Sequence, residues 1–340
     1  MPARPRLTPE VADARRAVRE LLEAQDLKPK SLVLVACSGG GDSIALAGAT
    51  AFEMGKLGIM AGAVIVDHQL QANSAEVAKQ AALTCEELGL APVVVRKVVV
   101  EVAGEGTEAA ARNARYAAIE KVRIEEGAAL VLLGHNLDDQ AETVLLGLAR
   151  GSGLTSISGM NQVDPDRHLA RPFLGLSRES LRAACLDQGL EFWDDPHNQD
   201  PKFARVRVRA LLSQLEAELG PGFSSALART AKQAAEADEV ITGMAADLSV
   251  RAKAETNSKS VSYRVSDFAA AEAAVRTKAL HLIAQRAGAV NISHSQIDQI
   301  DALITDWHGQ KSASLSGITV ERVKDLIVFC KTRTISPGAC

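Results

Sequence analysis

Paired cysteines are missing from this chain. Its five, Cys37, Cys85, Cys185, Cys330 and Cys340, are odd in number, far apart and never in a C-x-x-C spacing. That usage suggests neither a thiolate zinc site nor a disulfide framework, and the expected compartment is the reducing cytoplasm. Aromatic residues make up only 3% of the chain, while alanine is abundant, which favours helix-rich packing. No apolar run approaches the length of a membrane span, and the opening M-P-A-R-P-R-L-T-P-E has no h-region, so neither a membrane partner nor export is expected. Positive charge is not in excess either: the net charge is -4. This argues against a broad basic nucleic-acid face and leaves room for a local patch. With 340 residues, two domains can each bury a core.

What is present is concentrated first in Ser31–Ser43, S-L-V-L-V-A-C-S-G-G-G-D-S. Leu32 to Ala36 is a continuous apolar run, the pattern of a strand buried on both faces of a parallel sheet. Ser38-Gly39-Gly40-Gly41 turns the chain, and Asp42-Ser43 opens an apolar helical segment, Ile44 to Leu57. Three glycines let backbone N–H groups approach a ligand with no Cβ in the way, at a helix N-terminus that favours anions. The turn is therefore a phosphate cradle, to which Ser38 and Ser43 can add hydroxyl donors. Asp42 would repel phosphates unless a divalent cation lies between them. The Lys of the G-x-x-x-x-G-K-[ST] loop is absent, so γ-phosphate transfer is not indicated.

The remainder of the first half alternates strand and helix. A helix is expected over Pro9–Ala24, a strand over Ala61–Val66 ending in Asp67-His68, and a helix over Ser74–Leu88. A valine-rich strand follows over Pro92–Val100, then a helix to Glu126 capped by Thr107, then a strand over Ala129–Leu133. Such alternation means βαβ units, a parallel sheet and ligands beyond the carboxyl ends of the strands. Asp67 and His68 sit at one such end, where turn chemistry explains them equally well. Glu108 and Arg112, at i and i+4, read as a surface pair.

The second concentration is Gly134-His135-Asn136-Leu137-Asp138-Asp139-Gln140-Ala141-Glu142-Thr143. His135, Asp138, Asp139 and Glu142 have the spacing of one helix face, starting where a strand ends. Clustered carboxylates suit Mg²⁺ or a substrate ammonium, and the histidine could bind phosphate or move a proton. From Leu148 the text becomes loop-like. Leu169–Arg171 reads as a short strand, and Ser177 caps a helix over Arg178–Gln188.

A basic cluster follows, with Lys202, Arg205, Arg207 and Arg209 close together and no acid among them. On a helix Arg205 and Arg209 share a face while Arg207 points elsewhere, a patch suited to RNA phosphates or to a nucleotide's developing charge. Leu211–Val250 reads as long helix broken at Gly220-Pro221-Gly222. Val265–Gly288 and Ser293–Trp307 read as helical, and Ser312–Lys331 alternates like a small sheet. His281, His294 and His308 read as ordinary histidines.

Taken together, S-G-G-G-D-S, V-D-H-Q-L, E-A-A-A-R-N-A-R-Y, G-H-N-L-D-D-Q-A-E-T, R-G-S-G-L, A-R-P-F-L and D-P-H-N-Q-D-P-K-F-A-R-V-R-V-R resemble the motifs of tRNA(Ile)-lysidine synthetases, within the pyrophosphate-loop ATP pyrophosphatases. The resemblance covers most of residues 31–215. It implies an enzyme that uses ATP to adenylate C2 of the wobble cytidine in CAU-anticodon isoleucine tRNA. L-Lysine then displaces AMP to give lysidine. The resemblance further implies that Ser38, Gly39, Gly40, Gly41, Asp42 and Ser43 hold the pyrophosphate and that Asp42 anchors Mg²⁺. It assigns Arg112, Asp139 and Glu142 to lysine and Arg205 to adenylation with His135 and Asp138 in the same wall; the basic pattern itself leaves Lys202, Arg207 and Arg209 for tRNA. Two positions depart from the family pattern: Gln71 and Val206 stand where arginine and asparagine are usual. The chain is also short for the family, so the further C-terminal domain of longer members is expected to be absent.

The resulting expectation is a doubly wound, mostly parallel α/β sheet with a helical bridge and a smaller α+β domain. Its parts are a catalytic domain over 1–215, a linker over 216–250 and a tRNA-recognition domain over 251–335. Two other functions fit the loop. One is a tRNA thiolase, which would need paired cysteines near the crevice; the other is a non-catalytic, nucleotide-dependent RNA-binding protein.

Overall fold

The computed structural model describes residues 7–332 apart from 68, 70–72, 99–106, 152, 195–201, 203 and 257–259, and only the backbone of 107–109 and 111. The expectations placed on His68, Gln71 and the end of the valine-rich strand therefore lie outside the described residues. Helix α1 (Pro9–Glu23) is capped by Thr8, with Pro9 in the first turn, where no N–H is needed. Strand β1 (Leu32–Ala36) follows. Its Val33 and Val35 enter the core on one face of the sheet, and Leu32 and Leu34 enter the core on the other. This two-sided burial is what a continuous apolar strand requires.

Helix α2 (Gly41–Leu57), strand β2 (Met60–Asp67), helix α3 (Ser74–Glu87), strand β3 (Val93–Lys97), helix α4 (Thr107–Glu125) and strand β4 (Leu130–Leu133) continue the alternation. Thr107 is the first residue of α4 instead of its cap, a shift of the size that helix ends commonly show. Helix α5 (Leu137–Arg150) runs into the stretch that reads as loop and stops at Gly151 in the left-handed region, φ 63°. One further turn, α6 (Leu154–Ile157), precedes strands β5 (Val163–Asp164) and β6 (Leu169–Ala170). Ser177 caps helix α7 (Arg178–Asp187) as its sequence predicts, accepting from the Ser180 N–H. Helices α8 (Ala204–Leu219) and α9 (Phe223–Ala252) flank the Gly220-Pro221-Gly222 break.

The sheet order is β3-β2-β1-β4-β6-β5, parallel throughout except for the β5–β6 edge pair. Helices α1, α2, α3 and α7 supply the core on one face, and α4 supplies it on the other through Ile119 and Val122. Strand order reverses at β1, so a crevice opens beyond the carboxyl ends of β1 and β4.

Within β2, Gly62 has no room for a side chain: a Cβ there would lie 2.5 Å from the Pro92 carbonyl oxygen and 2.9 Å from Leu34 Cδ2. Gly62→Ala is expected to lower the stability of this unit by about 2 kcal/mol or more, since backbone must move. A urea midpoint equal to that of the wild type would show that the sheet absorbs the methyl group.

The chain folds into two compact units. The first comprises the residues up to Gly151 and Ser156–Lys232; the second comprises Gly153–Thr155 and the chain from Gln233. The division falls inside α9. The second unit holds strands β7 (Lys253–Thr256) and β8 (Ser260–Arg264), helices α10 (Val265–Ala269), α11 (Ala273–Ala287) and α12 (His294–Thr305), and strands β9 (Ala313–Leu315), β10 (Ile318–Val323) and β11 (Leu326–Lys331). Its antiparallel sheet is ordered β7-β8-β11-β10-β9. Tyr263 packs edge-on against Phe268 and Phe329, with centroids 6.0 and 5.8 Å away. The first two strands of this sheet, β7 and β8, carry little apolar alternation and escape a reading of the sequence.

Candidate active site

The turn after β1 is held open from beneath. Gly39 has φ 85°, a conformation that glycine adopts at no steric cost. The Ser43 hydroxyl accepts from the Ser38 N–H at 3.1 Å and donates to the Gly40 carbonyl at 2.8 Å. Ser43 is buried, so its hydroxyl latches the loop and is not an outward donor; Ser38 is exposed and keeps that role. The Gly39 N–H turns inward to the Cys37 sulfur. Among the described residues, the N–H groups of Gly40, Gly41 and Asp42 donate to no acceptor. Three unengaged amides at the start of α2 make an anion nest.

The chain leaving β4 approaches this nest closely. A Cβ on Gly134 would lie 3.1 Å from the Asp42 carbonyl group and 3.2 Å from the Ser43 nitrogen. His135 comes next, ahead of the helix: Asn136 is the N-cap of α5, so the expected helix face begins at Asp138 and His135 is not part of it. Asn136 and Asp139 form a capping box, with the Asp139 N–H donating to Asn136 Oδ1 at 2.9 Å and the Asn136 N–H donating to Asp139 Oδ2 at 3.1 Å.

A residue outside every motif stands at the centre of the carboxylates. The Arg178 guanidinium lies 3.0 Å from Asp139 Oδ1, 3.7 Å from Asp42 Oδ2 and 4.0 Å from Glu142 Oε1. Its backbone N–H donates to Asp138 Oδ2 at 2.8 Å, so Asp138 anchors the start of α7 and thereby positions Arg178. Glu142 is fully buried and accepts from Arg209 Nε at 2.8 Å. Arg209 therefore faces the acidic helix in this structure, whereas the sequence pattern places it with the tRNA residues. Only the fold could show this, because the partner is 67 positions away. Arg178 is legible in principle, as the basic residue that opens a capped helix after A-R-P-F-L.

The residues present fit a divalent cation. Asp42 Oδ1 and Glu142 Oε2 are buried and have no partner. Burial pushes the Asp42 carboxyl up to about 6, opposed by Arg178 and reinforced by Asp139. Burial likewise raises Glu142 against the pull of Arg209. Among the described residues no three His, Cys, Asp or Glu side chains are grouped to enclose a metal. A magnesium ion at Asp42 would thus take its other ligands from phosphates and water.

The opposite wall is basic. His135 is depressed to about 3, first by burial and then by Arg171, Arg115, Arg112 and Arg205. Arg112 is lowered by burial and by Arg205, Arg115 and Arg171, and no contact joins it to Asp139 or Glu142. The three residues assigned together to lysine are thus on two walls, one acidic and one basic. The imidazole is therefore held in its neutral form near pH 7. Its folded value lies below the unfolded 6.5, so its contribution to stability is complete above pH 6.5 and is lost as the pH falls toward 3. His135→Asn is expected to flatten the fall in urea midpoint between pH 6.5 and 4.5 by about one proton's worth of slope. An unchanged slope would mean that this imidazole titrates normally.

Beneath the loop, Cys37 and Cys85 are neighbours, with 2% and 0% exposure. The fold thus brings together a cysteine pair that the sequence does not suggest. It buries that pair in the core directly under the glycine loop, where neither sulfur is exposed to solvent. Asp67, at the end of β2, is a turn residue whose carboxylate accepts from the Gln69 N–H at 3.0 Å.

Residues 12–216 match the family model of the PP-loop domain, and residues 264–327 match that of the TilS substrate binding domain. Over 305 residues the chain is 50% identical to a tRNA(Ile)-lysidine synthase of Leifsonia xyli subsp. xyli, spanning 89% of this chain and 91% of that protein. The chain belongs to the tRNA(Ile)-lysidine synthase family. It is also 46% identical over 303 residues to the synthase of Streptomyces coelicolor, covering 88% of this chain and 85% of that one. Among solved structures, the U34-tRNA thiolase NcsA from Methanococcus maripaludis with its 4Fe-4S cluster superposes with a TM-score of 0.56 at 19% identity, over 66% of this chain and 79% of that chain. That likeness concerns the fold. Membership of the synthase family makes the chain a PP-loop ligase acting in tRNA modification.

Proposed function

We propose that this enzyme ligates L-lysine to C2 of the wobble cytidine in CAU-anticodon isoleucine tRNA, consuming ATP and releasing AMP and pyrophosphate. The observation that carries the reading is the meeting of two unlike surfaces at one strand-end crevice: free amides beside Asp42, and the α5 carboxylates Asp139 and Glu142, which share the Arg178 guanidinium with Asp42. The amides of Gly40, Gly41 and Asp42, with the Ser38 hydroxyl, hold the pyrophosphate end of ATP and stabilise it as it leaves. The cytidine O2 bonds to the α-phosphorus as the bond to pyrophosphate breaks. Arg205 in the basic wall faces the charge that develops there. A magnesium ion on Asp42 would offset the charge of the phosphates beside that carboxylate.

In the second half-reaction the ε-amine attacks C2, AMP departs with the oxygen and the amine loses a proton. Asp139 and Glu142 orient the incoming amine, and Arg112 across the crevice suits the carboxylate at the other end of the same amino acid. Arg178, which lies among the same carboxylates, must shift for that ammonium group to reach them. The second unit, which holds the matched substrate binding domain, recognises tRNA, and the cytoplasm is where the three substrates meet. Incubation with ATP, Mg²⁺, labelled lysine and a CAU-anticodon transcript, followed by nucleoside analysis, is expected to place label in lysidine. RNA without label would end this reading.

A further inference from the structure

Helix α4 carries Arg112, Arg115 and Tyr116 on one face, three and four residues apart. Both guanidinium groups sit at the Tyr116 ring, 5.1 and 5.7 Å from its centroid, and Arg112 also donates to the Tyr116 hydroxyl at 3.3 Å. Arg167, from the turn between β5 and β6, reaches the same ring at 6.0 Å. Buried Arg171 is tethered to the Asn161 carbonyl at 2.7 Å and leaves its Nε without a partner. In the same wall, His135 Nδ1 is buried and equally without a partner. Among the described residues no carboxylate pairs with Arg112, Arg115, Arg171 or Arg205. The nearest acid in sequence to Arg167 is Asp166, while Asp164 accepts the Arg167 N–H at 3.3 Å.

We propose that Arg115 and Arg167, at the Tyr116 ring, are the seat of an RNA phosphodiester beside the nucleotide being modified. The proposal rests on the lysidine-forming reading above. Half-buried like charges are costly unless an anion joins them, so the cluster is built for a ligand that carries negative charge. ATP already has its anion site in the amides that open α2. Arg167 is exposed, so the row of charge runs from the crevice out to solvent, the path of a strand entering from outside. Two of the three basic residues that sequence nominates for RNA have partners within the protein: Arg209 with Glu142, and Arg207 with the Lys202 carbonyl at 2.9 Å. In a chain of net charge -4 this is the local patch through which a polyanion can dock. Guanidinium forks of this kind fix register and orientation and leave base identity to other contacts.

The test measures binding of a CAU-anticodon transcript to the full chain across a salt series, for wild type, Arg115→Gln, Arg167→Gln and Arg115→Lys. Each Gln variant is expected to lower the slope of log K against log salt by about 0.7, the value for one phosphate contact on a single strand. Arg115→Lys is expected to keep the slope, and ATP affinity without RNA is expected to be unchanged throughout. If Arg115→Gln fails to fold, Arg167→Gln on its exposed turn carries the test alone. Unchanged slopes in both Gln variants would overturn the proposal. Weaker ATP binding with the RNA slope retained would also overturn it, assigning the anion to the nucleotide. Either result with lysidine still formed by wild type removes this inference only; no lysidine from wild type removes the reading beneath it.

Discussion

Asp42→Asn is expected to cut lysidine formation by about a thousandfold, equivalent to roughly 4 kcal/mol of barrier, while leaving the protein as stable as wild type or more so. The two effects have one cause. Burial makes the Asp42 carboxylate costly to ionise and lifts it to about 6, with Oδ1 left unpartnered and Asp139 close by. A folded value above the unfolded one means that this group lends stability when protonated and withdraws it as the pH rises from about 4 to 6. Asparagine keeps the shape and removes that cost, but it cannot balance a cation among phosphates. Urea midpoints at pH 7.5, measured with single-turnover AMP transfer to the transcript, check both halves. Substantial turnover in the variant would show that the metal is held elsewhere.

Glu142→Gln should divide the reaction in two. We expect the KM for lysine to rise by about a hundredfold, near 2.7 kcal/mol for a buried, charge-assisted contact, with adenylation of the tRNA retained because that step needs no amine. Glu142 is the fully buried member of the acidic set, and it faces two guanidinium groups, Arg209 at 2.8 Å and Arg178 at 4.0 Å. Removing its carboxyl group altogether strands those charges. Glu142→Ala is accordingly expected to lower stability against urea by about 3 kcal/mol as well. Initial rates against lysine concentration, with adenylated tRNA measured separately, decide the matter. Equal losses in both half-reactions would make Glu142 a part of the scaffold.

The same acidic centre explains why Arg178 matters without belonging to any motif. Its single positive charge lies among three carboxylates, closest to Asp139, and offsets part of their mutual repulsion.

Local sequence determined most of the architecture. The apolar run Leu32–Ala36 is buried on both faces and could only be a central strand; Thr8, Asn136 and Ser177 start their helices because their side chains satisfy exposed N–H groups. The glycine loop and the Asp139–Glu142 helix are legible for the same reason: each is written within a few consecutive residues. Tertiary structure decided the pairings. That Arg209 belongs to Glu142, that Asp138 holds Arg178, that Arg112 sits on the basic wall and that Cys37 meets Cys85 all depend on residues far apart along the chain. A side chain's type announces the charge it carries, but its partner is chosen by the crossover that brings two strand ends together.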